Sequence, residues 1–214
     1  MKSMKEFEHI ISLGAFCFIA GDLRRLNLRT EAYPFDWNIT DIETMISLID
    51  NGFRDFTNIN FLQKYDDNQR VFFDNKKYSL LRFVHDYDEN LQNAVDVEKK
   101  YERRIKRFYN AIKNKTLFVR YIINKSEYKY ILKHYKEIEK ILRKYNKESR
   151  IIFVINDDIK VHQVLNFIKG IKLYPVTKDT QDTVAKCPTD KNIYLKRKLE
   201  GCIYAKSKCH NSGL

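Results

Sequence analysis

His9-Ile10-Ile11-Ser12-Leu13-Gly14-Ala15-Phe16-Cys17-Phe18-Ile19-Ala20 is the stretch on which the reading of this chain turns. Ile10, Ile11 and Leu13 form a short apolar run that reads as a buried strand. Gly14-Ala15 reads as a turn. The spacing of Asp22, Leu23, Leu26 and Leu28 predicts a helix that begins near Cys17 and runs toward Asn27. A strand that passes into a helix through a glycine turn is a common way for α/β proteins to expose a reactive side chain. Here that side chain is a thiol. Backbone N–H groups at a helix start favour negative charge, so Cys17 is expected as a nucleophile with a lowered pKa. Flanked by Phe16, Phe18 and Ile19, the same residue also fits a buried space-filler.

A chain of 214 residues, 43% hydrophobic and 32% charged, suits one globular domain with a real core. No apolar run approaches the roughly 20 residues needed to span a bilayer. The charged start Met1-Lys2-Ser3-Met4-Lys5 lacks an export pattern, so a cytoplasmic protein without membrane contact is expected. The four cysteines, Cys17, Cys187, Cys202 and Cys209, do not form a disulfide framework for an intracellular chain. Cys187, Cys202, Cys209 and His210 match no usual zinc spacing. The glycine-rich phosphate-binding patterns are absent, with only six glycines in all. No metal and no cofactor is expected. The formal charge is +12, and its excess lies between Glu98 and Arg150, where 18 Lys/Arg face 6 Asp/Glu. Such a surface can attract nucleic acid or an acidic polymer; it is also what a solvated helix face looks like.

After the corner, Tyr33-Pro34-Phe35-Asp36-Trp37-Asn38 reads as an ordered loop anchored by Phe35 and Trp37. Thr40 to Asn51 reads as a helix capped by Thr40 and Glu43, with Ile42, Met45, Ile46 and Ile49 as its apolar stripe. Phe53 to Lys77 reads as irregular, apart from a short strand at Val71–Phe73 that pairs as a hairpin with Tyr78–Val84. Helices are expected at Val97–Lys113, Glu127–Lys147 and Val161–Lys169. Strands are expected at Thr116–Ile123, Arg150–Ile155 and Ile171–Tyr174. This alternation predicts an α/β fold with a mainly parallel sheet flanked by helices. The domain is expected to cover residues 1–175. Residues 176–214 are expected as a loosely attached polar tail, with a short element near Asn192–Leu199.

A cysteine enzyme needs an imidazole to move the thiol proton and a third polar group to fix the imidazole. His85, just past a strand end, is the first choice of base, with Asp86 or Asp36 to orient it. His162, with Asp157 or Asp158, competes for the same role.

Five stretches together resemble a known family. They are Ser12–Ala20, Tyr33–Trp37, Val84–Tyr87, Lys100–Phe108 and Leu117–Arg120. Pro34-Phe35-Asp36-Trp37 after a Gly-x-x-Cys corner is the most specific of them. The family is labelled putative papain-like cysteine peptidase and occurs in bacteria and large DNA viruses; the resemblance covers roughly residues 8 to 170. It implies Cys17 as nucleophile and His85 as histidine, with Asp36 and Trp37 in its Pro-Phe-Asp-Trp motif and Arg103, Arg104 and Arg120 at its arginine positions. The papain signature C-G-S-C-W is missing here, so the label alone does not fix the substrate.

The reading that follows is a cysteine-dependent hydrolase or acyl transferase. Cys17 attacks an acyl carbon, His85 serves as base and then acid, and Arg103, Arg104 and Arg120 hold an anionic part of the substrate, with Trp37 beside it. Two rivals stand beside it. One is a glycan-modifying transferase of polysaccharide metabolism, and the other is a non-enzymatic basic surface for nucleic acid or an acidic polymer.

Overall fold

The computed structural model describes residues 7–66, 70–159, 172–179 and 185–202. In chain order its first elements are β1 (His9–Ser12), α1 (Phe18–Arg25), β2 (Asn38–Thr40), α2 (Ile42–Asp50), β3 (Leu62–Asp66), β4 (Val71–Asn75) and β5 (Leu81–Phe83). They are followed by α3 (Ala94–Ala111), β6 (Thr116–Ile122), α4 (Lys125–Leu142), β7 (Arg150–Asn156), β8 (Leu173–Val176), α5 (Pro188–Lys191) and α6 (Ile193–Glu200).

The expected parallel sheet is present, with strand order β1-β6-β7-β8 and every pairing parallel. Its strands are continuous apolar runs because both faces are covered. Side chains alternate between two cores, as the pleat requires. Ile10, Leu117, Val119, Tyr121, Ile152 and Val154 face α1 and α6, where Ile19, Leu23, Leu195 and Leu199 meet them. Ile11, Phe118, Ile122, Ile151, Phe153 and Ile155 face α2, α3 and α4. On α2 the expected stripe Ile42, Met45, Ile46 and Ile49 is buried, as are Tyr101 and Phe108 on α3 and Ile131 and Tyr135 on α4.

A second, antiparallel sheet of order β2-β5-β4-β3 accompanies the first. The expected hairpin is its β4–β5 pair. The strands β2 and β3 lie where the sequence reads as loop or irregular chain. Only Leu62 and Tyr65 of the five residues of β3 are hydrophobic, they do not alternate, and the strand stays exposed or half-buried. Its identity comes from five backbone pairings with β4, which no local pattern encodes. The α2 cap also differs from expectation. Thr40 ends β2, and Asp41 caps the helix by accepting from Thr44 N at 2.7 Å.

Within the expected tail, residues 185–202 pack against α1. Asp22 of α1 accepts from Thr189 N at 2.9 Å and Thr189 Oγ1 at 3.0 Å, and Ala185, Leu195, Leu199 and Cys202 are buried in the α1-side core. The short element expected near Asn192–Leu199 is α6. The helix expected at 161–169, with His162, lies outside the described residues, as do Cys209 and His210.

Candidate active site at the β1–α1 corner

The chain leaves β1 at Ser12 and turns through two residues of positive φ, Gly14 at 76° and Ala15 at 75°. Gly14 tolerates this conformation; for an alanine it carries strain. Gly14 is required on a second ground. A Cβ there would sit 3.1 Å from the Phe35 carbonyl oxygen and 3.1 Å from Thr40 Oγ1. The corner is therefore pressed against the Pro34–Trp37 loop. Cys17 follows as the N-cap of α1, and its carbonyl accepts the first helical bond from Gly21 N at 2.8 Å.

The Cys17 thiol is half-buried, and burial pushes its pKa above the ordinary value. A backbone hydrogen bond to the sulfur and the positive charge of Arg70 pull the other way without winning. The expected lowering at a helix start is thus overturned, because desolvation of a thiolate outweighs nearby N–H groups. At neutral pH the resting sulfur is a thiol.

His85 is exposed on the turn after β5. Arg70 supplies a positive charge that acts on the Cys17 sulfur. Asp86 is buried and engaged elsewhere. It accepts from Lys100 Nζ at 2.6 Å and from Tyr101 Oη at 2.8 Å, and its carbonyl takes Asn93 Nδ2 at 2.9 Å. Both of its carboxylate oxygens are thus used to anchor the His85 turn to α3, which is a positioning task. His134 stacks on Tyr130 at 4.4 Å on the outer part of α4.

Asp36 has no exposed surface. Its Oδ2 accepts from Tyr33 N at 2.7 Å and lies 3.2 Å from Arg29 Nε, while its Oδ1 has no partner. Burial pushes this carboxyl up to about 6, against the pull of Arg29, Tyr33 N, Arg104 and Arg107. The guanidiniums of Arg24 and Arg29 each lie 5.5 Å from the Trp37 ring centre. Arg104 lies 5.1 Å from the Tyr101 ring, and its Nη1 is buried without a partner, as is Nε of Arg107. Arg29 also reaches back to the corner helix, donating to Ala20 O at 3.3 Å.

The structure therefore brings Asp36, Trp37 and Arg104 together and adds Arg24, Arg29 and Arg107, which the sequence reading missed. The spacing of Arg104 and Arg107, three apart on α3, was the available signal. Arg103 is exposed and outside this cluster. Arg120 is corrected outright as a substrate ligand, since it has no exposed surface. Its donors go to Leu13 O at 2.8 Å, Thr40 Oγ1 at 3.1 Å, Thr40 O at 2.6 Å and the Glu127 carboxylate. It ties the end of β1 to β2 and to the start of α4.

The basic excess of the sequence divides in two. Lys125, Lys129, Lys133, Lys136 and Lys140 share one exposed stripe of α4. Among the described residues, no helix is long and apolar enough to cross a membrane, and no three His, Cys, Asp or Glu gather as metal ligands. A cavity of about 490 Å³, lined in part by Phe56, Ile59, Val95, Glu98 and Glu102, shares no residue with the corner.

Residues 8–158 match the model of a family described as "Putative papain-like cysteine peptidase". An uncharacterized protein of Acanthamoeba polyphaga mimivirus is 29% identical over 133 residues, covering 51% of this chain and 60% of the viral one. The chain thus spans less than two thirds of that relative's length. No solved structure matches. The matched span holds Cys17, Asp36, His85 and the arginine cluster, and it ends before α5 and α6.

Proposed function

The chain belongs to the family described as putative papain-like cysteine peptidases, and from that premise we propose that it is a cysteine-dependent hydrolase with Cys17 as nucleophile. The observation that carries the reading is the strained turn that sets Cys17 at the head of α1, at the carboxyl end of a parallel strand. Strain held at a non-glycine residue is a mark of functional corners, and the carboxyl ends of parallel strands are where α/β sites assemble.

The raised thiol pKa supports an order of events in which the proton leaves as the sulfur attacks. A base takes the proton from Sγ as the sulfur attacks the acyl carbon. The C–N or C–O bond then breaks, and the leaving group takes that proton. Water, deprotonated by the same base, cleaves the thioester and regenerates the thiol. His85 is the base in this proposal, and Asp86 positions the turn that carries it. An acyl acceptor other than water would make the same site a transferase, including one that modifies glycans. The test is turnover of activated acyl esters and peptides. Cys17→Ala should abolish it and His85→Ala should lower it by about 10²- to 10⁴-fold, with both variants folded. Turnover unchanged in Cys17→Ala removes the reading, and turnover unchanged in His85→Ala moves the base elsewhere.

The lysine stripe of α4 supports a second reading, a surface for nucleic acid or another polyanion. It requires binding that falls steeply with salt; no binding to single- or double-stranded nucleic acid at low salt ends it. A cytoplasmic site of action suits either reading.

A further inference from the structure

We propose that Arg24, Arg29, Arg104 and Arg107 form an anion subsite around Trp37 that takes a phosphoryl dianion carried by the substrate acted on at Cys17. The proposal rests on the Cys17 reading for its substrate and on separate geometry for its site.

Four guanidiniums from three segments converge here: Arg24 from α1, Arg29 from the following loop, and Arg104 and Arg107 from α3. Among the described residues one carboxylate, Asp36, makes an ion pair with this set, through Arg29; Glu31 acts on the neighbouring Tyr33 from an exposed position. Three positive charges are left over, and the Arg29 guanidinium is held below its ordinary pKa by burial, with Arg104 and Arg24 adding to the effect. Like charges gathered around a half-buried site cost stability unless an anion relieves them. Two nitrogens, Arg104 Nη1 and Arg107 Nε, are buried and unpartnered. A buried donor without an acceptor costs about 1–3 kcal/mol, so an acceptor supplied from outside would be well received. Guanidinium forks suit phosphate oxygens, and a dianion matches a threefold surplus better than a single carboxylate does.

The face of α1 between Cys17 and Arg24 leaves room at Gly21. Cys17, Gly21 and Arg24 fall on one stripe of α1 at i, i+4 and i+7. A Cβ built on Gly21 would meet nothing within 4 Å. Seven helical residues span about 10 Å. The substrate class is therefore an acyl compound whose phosphoryl group lies on the order of 10 Å from the scissile carbonyl.

The test uses the full chain at constant ionic strength, titrated with inorganic phosphate and with phenyl phosphate, and with chloride as the control anion. Both phosphates should bind saturably and raise the unfolding temperature more than chloride does. Arg107→Gln should weaken binding at least tenfold. Arg24→Gln, at an exposed position that folding does not need, should weaken it at least threefold, while Lys106→Gln on the exposed side of α3 should not change it. Equal stabilisation by chloride, or equal weakening by Lys106→Gln, would overturn the subsite. Binding of inorganic phosphate but not phenyl phosphate would overturn the assignment to a substrate group. Measured in Cys17→Ala, binding should persist, so a failed nucleophile and a failed anion site give different results.

Discussion

Arg120 and the Arg104–Arg107 pair stand for two kinds of arginine site in one small molecule, and their surroundings set them apart. Around Arg120 the network is complete, with backbone oxygens, Thr40 Oγ1 and the Glu127 carboxylate taking its donors. Around Arg104 and Arg107 it is incomplete, since buried nitrogens lack acceptors and the nearby Asp36 carboxylate keeps an unpartnered oxygen. A completed buried network holds elements in place. An incomplete one is what the proposed anion subsite rests on. Residue type and position in sequence do not separate the two cases; the count of satisfied partners does.

The contrast is broken most directly at its structural side. Arg120→Ala strands the Glu127 carboxylate in the core, and removing one partner of a buried pair costs about 3–5 kcal/mol. Urea unfolding should show a loss of that size. Arg104→Gln should not destabilise the chain, because it removes a buried donor that has no acceptor. Equal losses in the two variants would erase the distinction.

The next effect is smaller and depends on pH. The Asp36 carboxyl is raised from 3.8 to about 6 in the folded chain. Its contribution is fully present below the unfolded value and is lost as pH rises through about 6. The difference amounts to about 3 kcal/mol. Wild type should therefore lose most of that stability relative to Asp36→Asn between pH 4 and pH 7.5, read by parallel urea titrations. A relative gain with rising pH would mean that the arginines, and not burial, dominate this carboxylate.

The smallest effect sharpens the link between the two clusters. Gly14 lies beside Leu13, whose carbonyl Arg120 holds, and against Phe35 of the Asp36 loop. Gly14→Ala should cost about 1–2 kcal/mol for the left-handed conformation alone. It should also displace the Phe35 carbonyl, visible as a change in Trp37 fluorescence. An unchanged Trp37 signal would uncouple the corner from the loop.

The parallel sheet was legible because buried strands carry their own signature. Leu117 to Ile122 and Ile151 to Ile155 are apolar runs that need two covered faces. The corner was legible for the same reason, from Ile10 to Cys17. The second sheet was not, since β2 and β3 are short and are defined by partners rather than by pattern. The docked tail was hidden because Asp22 and Thr189, 167 positions apart, form its anchor. At the site, Cys17, Asp36, Trp37 and Arg104 were readable as residue types near motifs. Arg24 and Arg29 were not, because only folding brings α1 and the loop to α3, whereas the spacing of Arg107 from Arg104 was a signal left unused. Arg120 was expected as a ligand from the family resemblance, whereas its saturation is a property of three dimensions. The direction of the Cys17 shift was misjudged for a related reason: a helix start is visible in sequence and burial of the sulfur is not.

The central claim is that Cys17 attacks acyl carbon. The most direct measurement is intact-protein and peptide mass spectrometry after incubation with an activated acyl ester, followed by hydroxylamine. The account predicts a single hydroxylamine-labile acyl group on Cys17. It should be absent in Cys17→Ala, and it should form faster as pH rises toward the raised thiol pKa. Acylation spread evenly over Cys17, Cys187 and Cys202, or none on Cys17 while the chain is folded, would contradict it and leave the sulfur as a core residue.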